Sequence, residues 1–201
     1  MVGVKNNMKI LKIYIILTFL FANNSYSIQL SGTYTIDPQL LASFTNFQNI
    51  TSAITYITGS GTRSDGGPSN SSLFGVSGPV VFQIATGAYT ITNTVNIPPI
   101  VGTSSINTII FDGGNASNCT LSGNIDSFAI LNLNQCSYVN LRNLTVNNYS
   151  SNQGSGIGIT GNTSNNNATG SSIKNCIIKL PNSGNTITSS CIYAWQQEEA
   201  L

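Results

Sequence analysis

Histidine is absent from this 201-residue chain, charged residues are only 6% of it, and the formal net charge is +1. So little charge excludes electrostatic attraction to nucleic acid or to an anionic membrane surface. There is no CxxC pair either, and without it or histidine the sequence has no recognisable zinc site. Low charge is not disorder here, because disordered chains are usually highly charged and poor in apolar residues. Hydrophobic residues make up 40% of this one and fall in short β-branched runs. Polarity comes instead from Asn, Ser, Thr and Gly, with asparagine alone supplying about 27 residues. The composition describes an ordered, β-rich and nearly uncharged protein, long enough for one domain with a real core.

The first residues stand apart. Lys5, Lys9 and Lys12 form a basic stretch, and Ile13 to Ala22 is an apolar run too short for a comfortable transmembrane helix. Ser25 and Ser27 then offer small residues where a signal peptidase reads. The pattern predicts a signal peptide over 1–27, with Ala22 as the other cleavage point and Met8 as an alternative start. An uncleaved anchor is the competing reading. Export permits disulfides, and Cys119, Cys136, Cys176 and Cys191 allow three pairings that sequence cannot separate. Each lies in or beside an apolar run, where a free thiol also serves as a small core residue.

One segment reads as helix. Phe44, Phe47, Ile50, Ile54 and Ile57 recur at threes and fours, Thr45 and Gln48 have capping-box spacing, and Gly59 to Gly61 ends the run. From Val80 onward the pattern changes to short alternating strands divided by Gly and Asn, the last starting at Cys191. A repeat selects among the architectures such strands can build. Leu141, Asn143, Leu144 and Val146 in "LRNLTV" match Ile173, Asn175, Cys176 and Ile178 in "IKNCII", 32 positions on. A fainter echo links "AILNLN" at Ala129 to "GIGIT" at Gly156. Recurrence at this period, with loops absorbing the length differences, marks stacked coils. Asn143 above Asn175 then forms a side-chain amide ladder inside a bend, where Asn also tolerates the left-handed backbone.

"SGTYTID" (Ser31 to Asp37), the helical segment, "SGPVVFQIATGAYT" (Ser77 to Thr90), the stretch Thr94 to Gly114 and "YVNLRNLTV" occur in that order. Together they resemble secreted right-handed parallel β-helix proteins of the Bacteroidetes type, in the pectin-lyase-like superfamily. The resemblance implies an all-β, right-handed single-stranded parallel β-helix (a solenoid) with a short N-terminal capping α-helix. It divides the chain into a signal peptide (1–27), an N-terminal strand and capping helix (28–61), incomplete β-helix coils (62–195) and an anomalous tail (196–201). Because the family usually continues for many more coils, the chain reads as a fragment. The resemblance also allows a polysaccharide lyase, whose chemistry would need acidic Ca²⁺ ligands and an Arg or Lys base.

The residues argue against catalysis. Asp37, Asp65, Asp112, Asp126, Glu198 and Glu199 show no DxD motif, no EF-hand loop and no carboxylate pair on one strand face. Asp112 in "FDGG" and Asp126 in "GNIDSF" have ordinary turn settings. Arg142 and Lys174, one per repeat, are the remaining binding candidates, pointing outward as a small basic stripe that meets acidic glycan or merely keeps the strand face soluble. Tyr89, Tyr138 and Tyr149 would stack on sugars if exposed, while packing in the core or at a rung edge is their default role. The expectation is a secreted or outer-surface, adhesin-like or glycan-binding β-helix segment. No catalytic residue, metal or cofactor is assigned to it, Ca²⁺ entering only under the lyase alternative. Its partners are extracellular polysaccharide or cell-surface glycan, with no nucleic acid and no stable membrane span after signal cleavage. The alternatives are a truncated polysaccharide lyase or hydrolase and a structural stalk of a larger surface protein.

Overall fold

A computed structural model describes residues 29–70, 74–126, 128–151, 154–161, 168–180 and 190–196. The signal-peptide span, Glu198 and Glu199 lie outside the described residues. Strand β1 (Leu30–Ile36) leads through a loop to β2 (Asn46–Phe47) and helix α1 (Ile50–Thr58). The chain then passes three times through triplets of short strands: β3 (Val76–Ile84), β4 (Gly87–Thr90), β5 (Val95–Ile97); β6 (Ile109–Asp112), β7 (Cys119–Gly123), β8 (Ala129–Asn134); β9 (Val139–Arg142), β10 (Thr145–Asn148), β11 (Ser155–Gly161). A fourth triplet is β12 (Ser172–Lys174), β13 (Ile177–Lys179) and β14 (Ile192–Gln196).

Each member of a triplet joins a different sheet. Sheet A has the order β12-β9-β6-β3-β1-β2, sheet B the order β13-β10-β7-β4, and sheet C the order β14-β11-β8-β5. Every pairing is parallel. A mostly β chain of three parallel sheets, each built by stacking one strand per circuit, is consistent with a parallel β-helix. Among the described residues no helix is long and apolar enough to cross a membrane.

Alternation puts like on like inside. In sheet A, Phe82 stacks on Phe111 with ring centroids 5.0 Å apart, and Leu141 and Ile173 continue the column. Sheet B stacks Tyr89, Leu121, Val146 and Ile178; sheet C stacks Val95, Leu131 and Ile157. Strands lie about 4.8 Å apart in such stacks, so each buried side chain rests on its counterpart in the next circuit. Truncating one fully buried residue of these columns costs about 2–5 kcal/mol.

Polar fasteners hold the corners. Asn143 and Asn175 sit between sheets A and B with φ of 57° and 53°, in the left-handed region that asparagine tolerates. Asn175 Nδ2 donates to Asn143 Oδ1 at 3.4 Å, and Asn143 Nδ2 donates to Asp112 Oδ1 at 2.7 Å. Buried Asn148 fastens another corner: its Oδ1 accepts from the amides of Ile125 and Ser150, while Nδ2 donates to the carbonyls of Ile125 and Ser155.

Three details depart from the sequence reading. Helix α1 starts at Asn49, whose side chain accepts from the Ser52 amide at 2.7 Å, and not at Thr45 with Gln48. Asn46 prevents the earlier start, because its amide donates to the carbonyls of Asp37, Leu40 and Leu41 and holds the preceding loop non-helical. Phe44 therefore lies exposed, while Phe47 enters the core through β2. Gly59 ends the helix at φ 65°. The echo in sheet C is offset by one residue: Ile157 sits on Leu131, and Ser155 rather than Gly156 on Ala129. The last strand also runs on through Trp195 to Gln196, which pair with Thr160 and Gly161, so the final rung extends into the expected tail. The four cysteines are free thiols. Burial pushes Cys119 up to about 11 and Cys136 up to about 12, which keeps both protonated at neutral pH.

Candidate functional site

Two outer faces carry the polar side chains. On sheet A, Gln83, Asp112, Arg142 and Lys174 stand in register on successive strands. Arg142 and Lys174 are therefore outward neighbours, but Arg142 is engaged: Nε and Nη2 each reach Asp112 Oδ2 at 2.8 Å. Asp112 Oδ1 accepts from the Gly114 amide at 2.9 Å, closing a turn, as well as from Asn143. Burial opposes ionisation of Asp112, yet the donors from Asn143, Gly114 and Arg142 outweigh it and hold the carboxyl below its usual range. Beside this row Ser172 Oγ donates to Asn140 Oδ1 at 2.6 Å. The basic stripe is thus Lys174 beside a neutralised pair.

The other carboxylates among the described residues are also bound. Asp37 Oδ1 accepts from the Gln39 amide, and Asp126 Oδ1 accepts from Ser150 Oγ. Asp65 lies in a clasp that the sequence reading missed. Arg63 donates through Nε and Nη2 to its two oxygens at 2.9 and 2.7 Å, with both side chains fully buried. Asp65 also accepts from the amides of Gln48 and Gly67, and Arg63 donates to the carbonyls of Ser43 and Asn46 while lying 4.2 Å over the Phe47 ring. The signal was present in "TRSDGG", where an Arg and an Asp share one glycine-rich loop of a chain poor in charge. Among the described residues no group of three His, Cys, Asp or Glu side chains is placed to hold a metal.

Sheet C is uncharged on its outer face. One outward column runs Asn96, Asn132, Gly158, Tyr193, and the next runs Asn134, Thr160, Trp195. Asn132 Nδ2 donates to Asn96 Oδ1 at 2.9 Å, and Thr160 Oγ1 donates to Asn134 Oδ1 at 3.1 Å. Gly158 carries no side chain, and the Phe128 ring uses the space: a Cβ there would stand 3.1 Å from Phe128 Cζ. Phe128 thereby reaches across a strand to meet Tyr193 edge-on, ring centroids 6.2 Å apart. Tyr193 and Trp195 are 40% and 50% exposed, so two rings remain available on one strand face, with Gly158 and Thr160 on the neighbouring rung.

No protein-family model matches the chain, and no curated protein or solved structure matches it. Function therefore rests on the faces themselves. Of the three tyrosines singled out from sequence, Tyr89 is buried, Tyr138 is half-buried and Tyr149 is exposed. Phe128, Tyr193, Trp195 and the Asn96–Asn132 pair were missed. The signal for two of them was "YAW", since aromatic residues two apart on a strand share a face.

Proposed function

We propose that the chain is a secreted or cell-surface, right-handed parallel β-helix segment of the pectin-lyase-like type that binds glycan without cleaving it. The carrying observation is the outer face of sheet C, where Tyr193 and Trp195 stand exposed on the last rung and Thr160 and Asn134 occupy the two preceding rungs of the Trp195 column. Aromatic rings pack against the C–H face of a sugar, and amides satisfy hydroxyls that donate and accept at once. A flat face of this kind makes several weak contacts rather than one deep one, which suits an adhesin-like role. Engagement of Asp37, Asp65, Asp112 and Asp126 in local bonds favours binding over lysis. Arg142, tied to Asp112, is poorly placed as a lyase base.

Affinity electrophoresis through gels containing single soluble polysaccharides tests the reading. Retardation by at least one polysaccharide is expected, weakened several-fold in Trp195→Ala and in Tyr193→Ala. Unaltered mobility in every polysaccharide sinks it. So does unsaturated uronate released from pectate in the presence of Ca²⁺.

A further inference from the structure

The cap end of the molecule carries a separate groove of about 520 Å³ between the first turn of α1 and the corner that joins β4 to β5. Its floor is apolar and fixed. Ile50, Tyr89 and Val95 are buried there, and the Tyr89 hydroxyl donates to the carbonyls of Ile36 at 3.1 Å and Ala85 at 2.8 Å. Burial pushes that phenol up to about 12, so the floor carries no charge at physiological pH. The rim is held by the buried clasp described above, because Asp65 accepts the Gln48 amide and Ser64 Oγ accepts from Asn49 Nδ2.

The walls are hydroxylic and underused. Thr51, Thr90 and Thr94 line the groove, and their hydroxyls make no hydrogen bond to any described residue. No ionisable side chain other than the pinned Tyr89 lines it. These features restrict what fits. An ion would shed its hydration against walls that offer no counter-charge. A purely aliphatic ligand would exclude water from three hydroxyls and give them no partner. A sugar satisfies both conditions, with C–H faces for the floor and hydroxyls for the walls. The volume lies within the range of small-molecule sites and exceeds what a single water cluster needs.

We propose that the groove between α1 and the β4–β5 corner is a second binding site, which takes an uncharged short saccharide. It shares no residue with the sheet C face and stands or falls without it. The test follows backbone amide signals of the ¹⁵N-labelled chain during titration with cellotriose, mannotriose and trigalacturonate. Saturable shifts at Ile50, Thr51 and Thr90 to Thr94 are expected with at least one neutral trisaccharide, and weaker ones with the acidic trisaccharide. Ala88→Trp, which fills the groove from an exposed strand position, should abolish these shifts and leave any at Tyr193 and Trp195 intact. Thr90→Ala and Thr94→Ala, which leave the fold unburdened, should each weaken the titration about fivefold. Absence of shifts at the corner with both neutral sugars overturns the proposal, as does tighter binding of trigalacturonate or an unchanged titration in all three variants.

Discussion

The molecule contains two Arg–Asp pairs of similar geometry in opposite settings. Arg63–Asp65 closes at 2.7 Å with neither side chain exposed, whereas Arg142–Asp112 closes at 2.8 Å with its partners 41% and 16% exposed. The first clasps the loop after α1 to the β1–β2 end, and every polar atom it buries is satisfied by a carbonyl, an amide or its partner. The second bridges two rungs of sheet A at the surface and shares its carboxylate with the Asn143–Asn175 ladder. Distance is almost the same, so burial decides what each pair is worth. Both fasten the chain to itself, so neither pair offers a free charge to a ligand.

Breaking the buried pair should have the largest effect. Asp65→Ala leaves an unpaired guanidinium under Phe47 and frees the Gln48 amide, and should lower stability by about 3–5 kcal/mol in urea unfolding. A loss below about 1 kcal/mol would erase the contrast. Asp112→Ala removes a partly screened pair, the Gly114 turn bond and the Asn143 bond, and should cost about 1–2 kcal/mol by the same measurement.

Acid sharpens the comparison further. At Asp65 burial opposes ionisation, but the donors from Arg63, Gln48 and Gly67 prevail, so its carboxyl, like that of Asp112, is held below the ordinary 3.8. A depressed folded value means stability that is present above about pH 4 and is lost as pH falls through the folded value. Melting temperature should therefore fall below pH 4, and Asp65→Asn should flatten that fall more than Asp112→Asn. The smallest effect belongs to Lys174→Ala. Removing this exposed charge should change stability by no more than about 0.5 kcal/mol and leave retardation in neutral polysaccharide gels unchanged. Loss of retardation there would move binding to sheet A.

Much of the interior was legible. The apolar residues of "LRNLTV" and "IKNCII" pair in the register their similarity implied, because stacked strands place each side chain over its counterpart. The sheet C echo was read one residue out for an equally physical reason. Gly156 and Gly158 fall on one face of β11 and leave it without side chains, so only Ile157 and Ile159 on the other face carry the register, and they stack on Leu131 and Leu133. The start of α1 was misread because Phe44 and Phe47 fit a helical stripe by spacing alone, while the bonds of Asn46 to three carbonyls form only after the loop has folded.

The sequence by itself determined a β-rich, nearly uncharged chain of repeated short strands, since composition and alternation act locally on each segment. It also placed an Asn at each of two equivalent bends, where few other residues accept the backbone. Only the tertiary structure decided which outward groups remain free. Asp112 quenches Arg142 across one rung, Gly158 admits Phe128 across another, and α1 meets the β4–β5 corner to enclose a groove. Those outcomes depend on residues far apart in sequence and brought together by stacking, which no local pattern encodes.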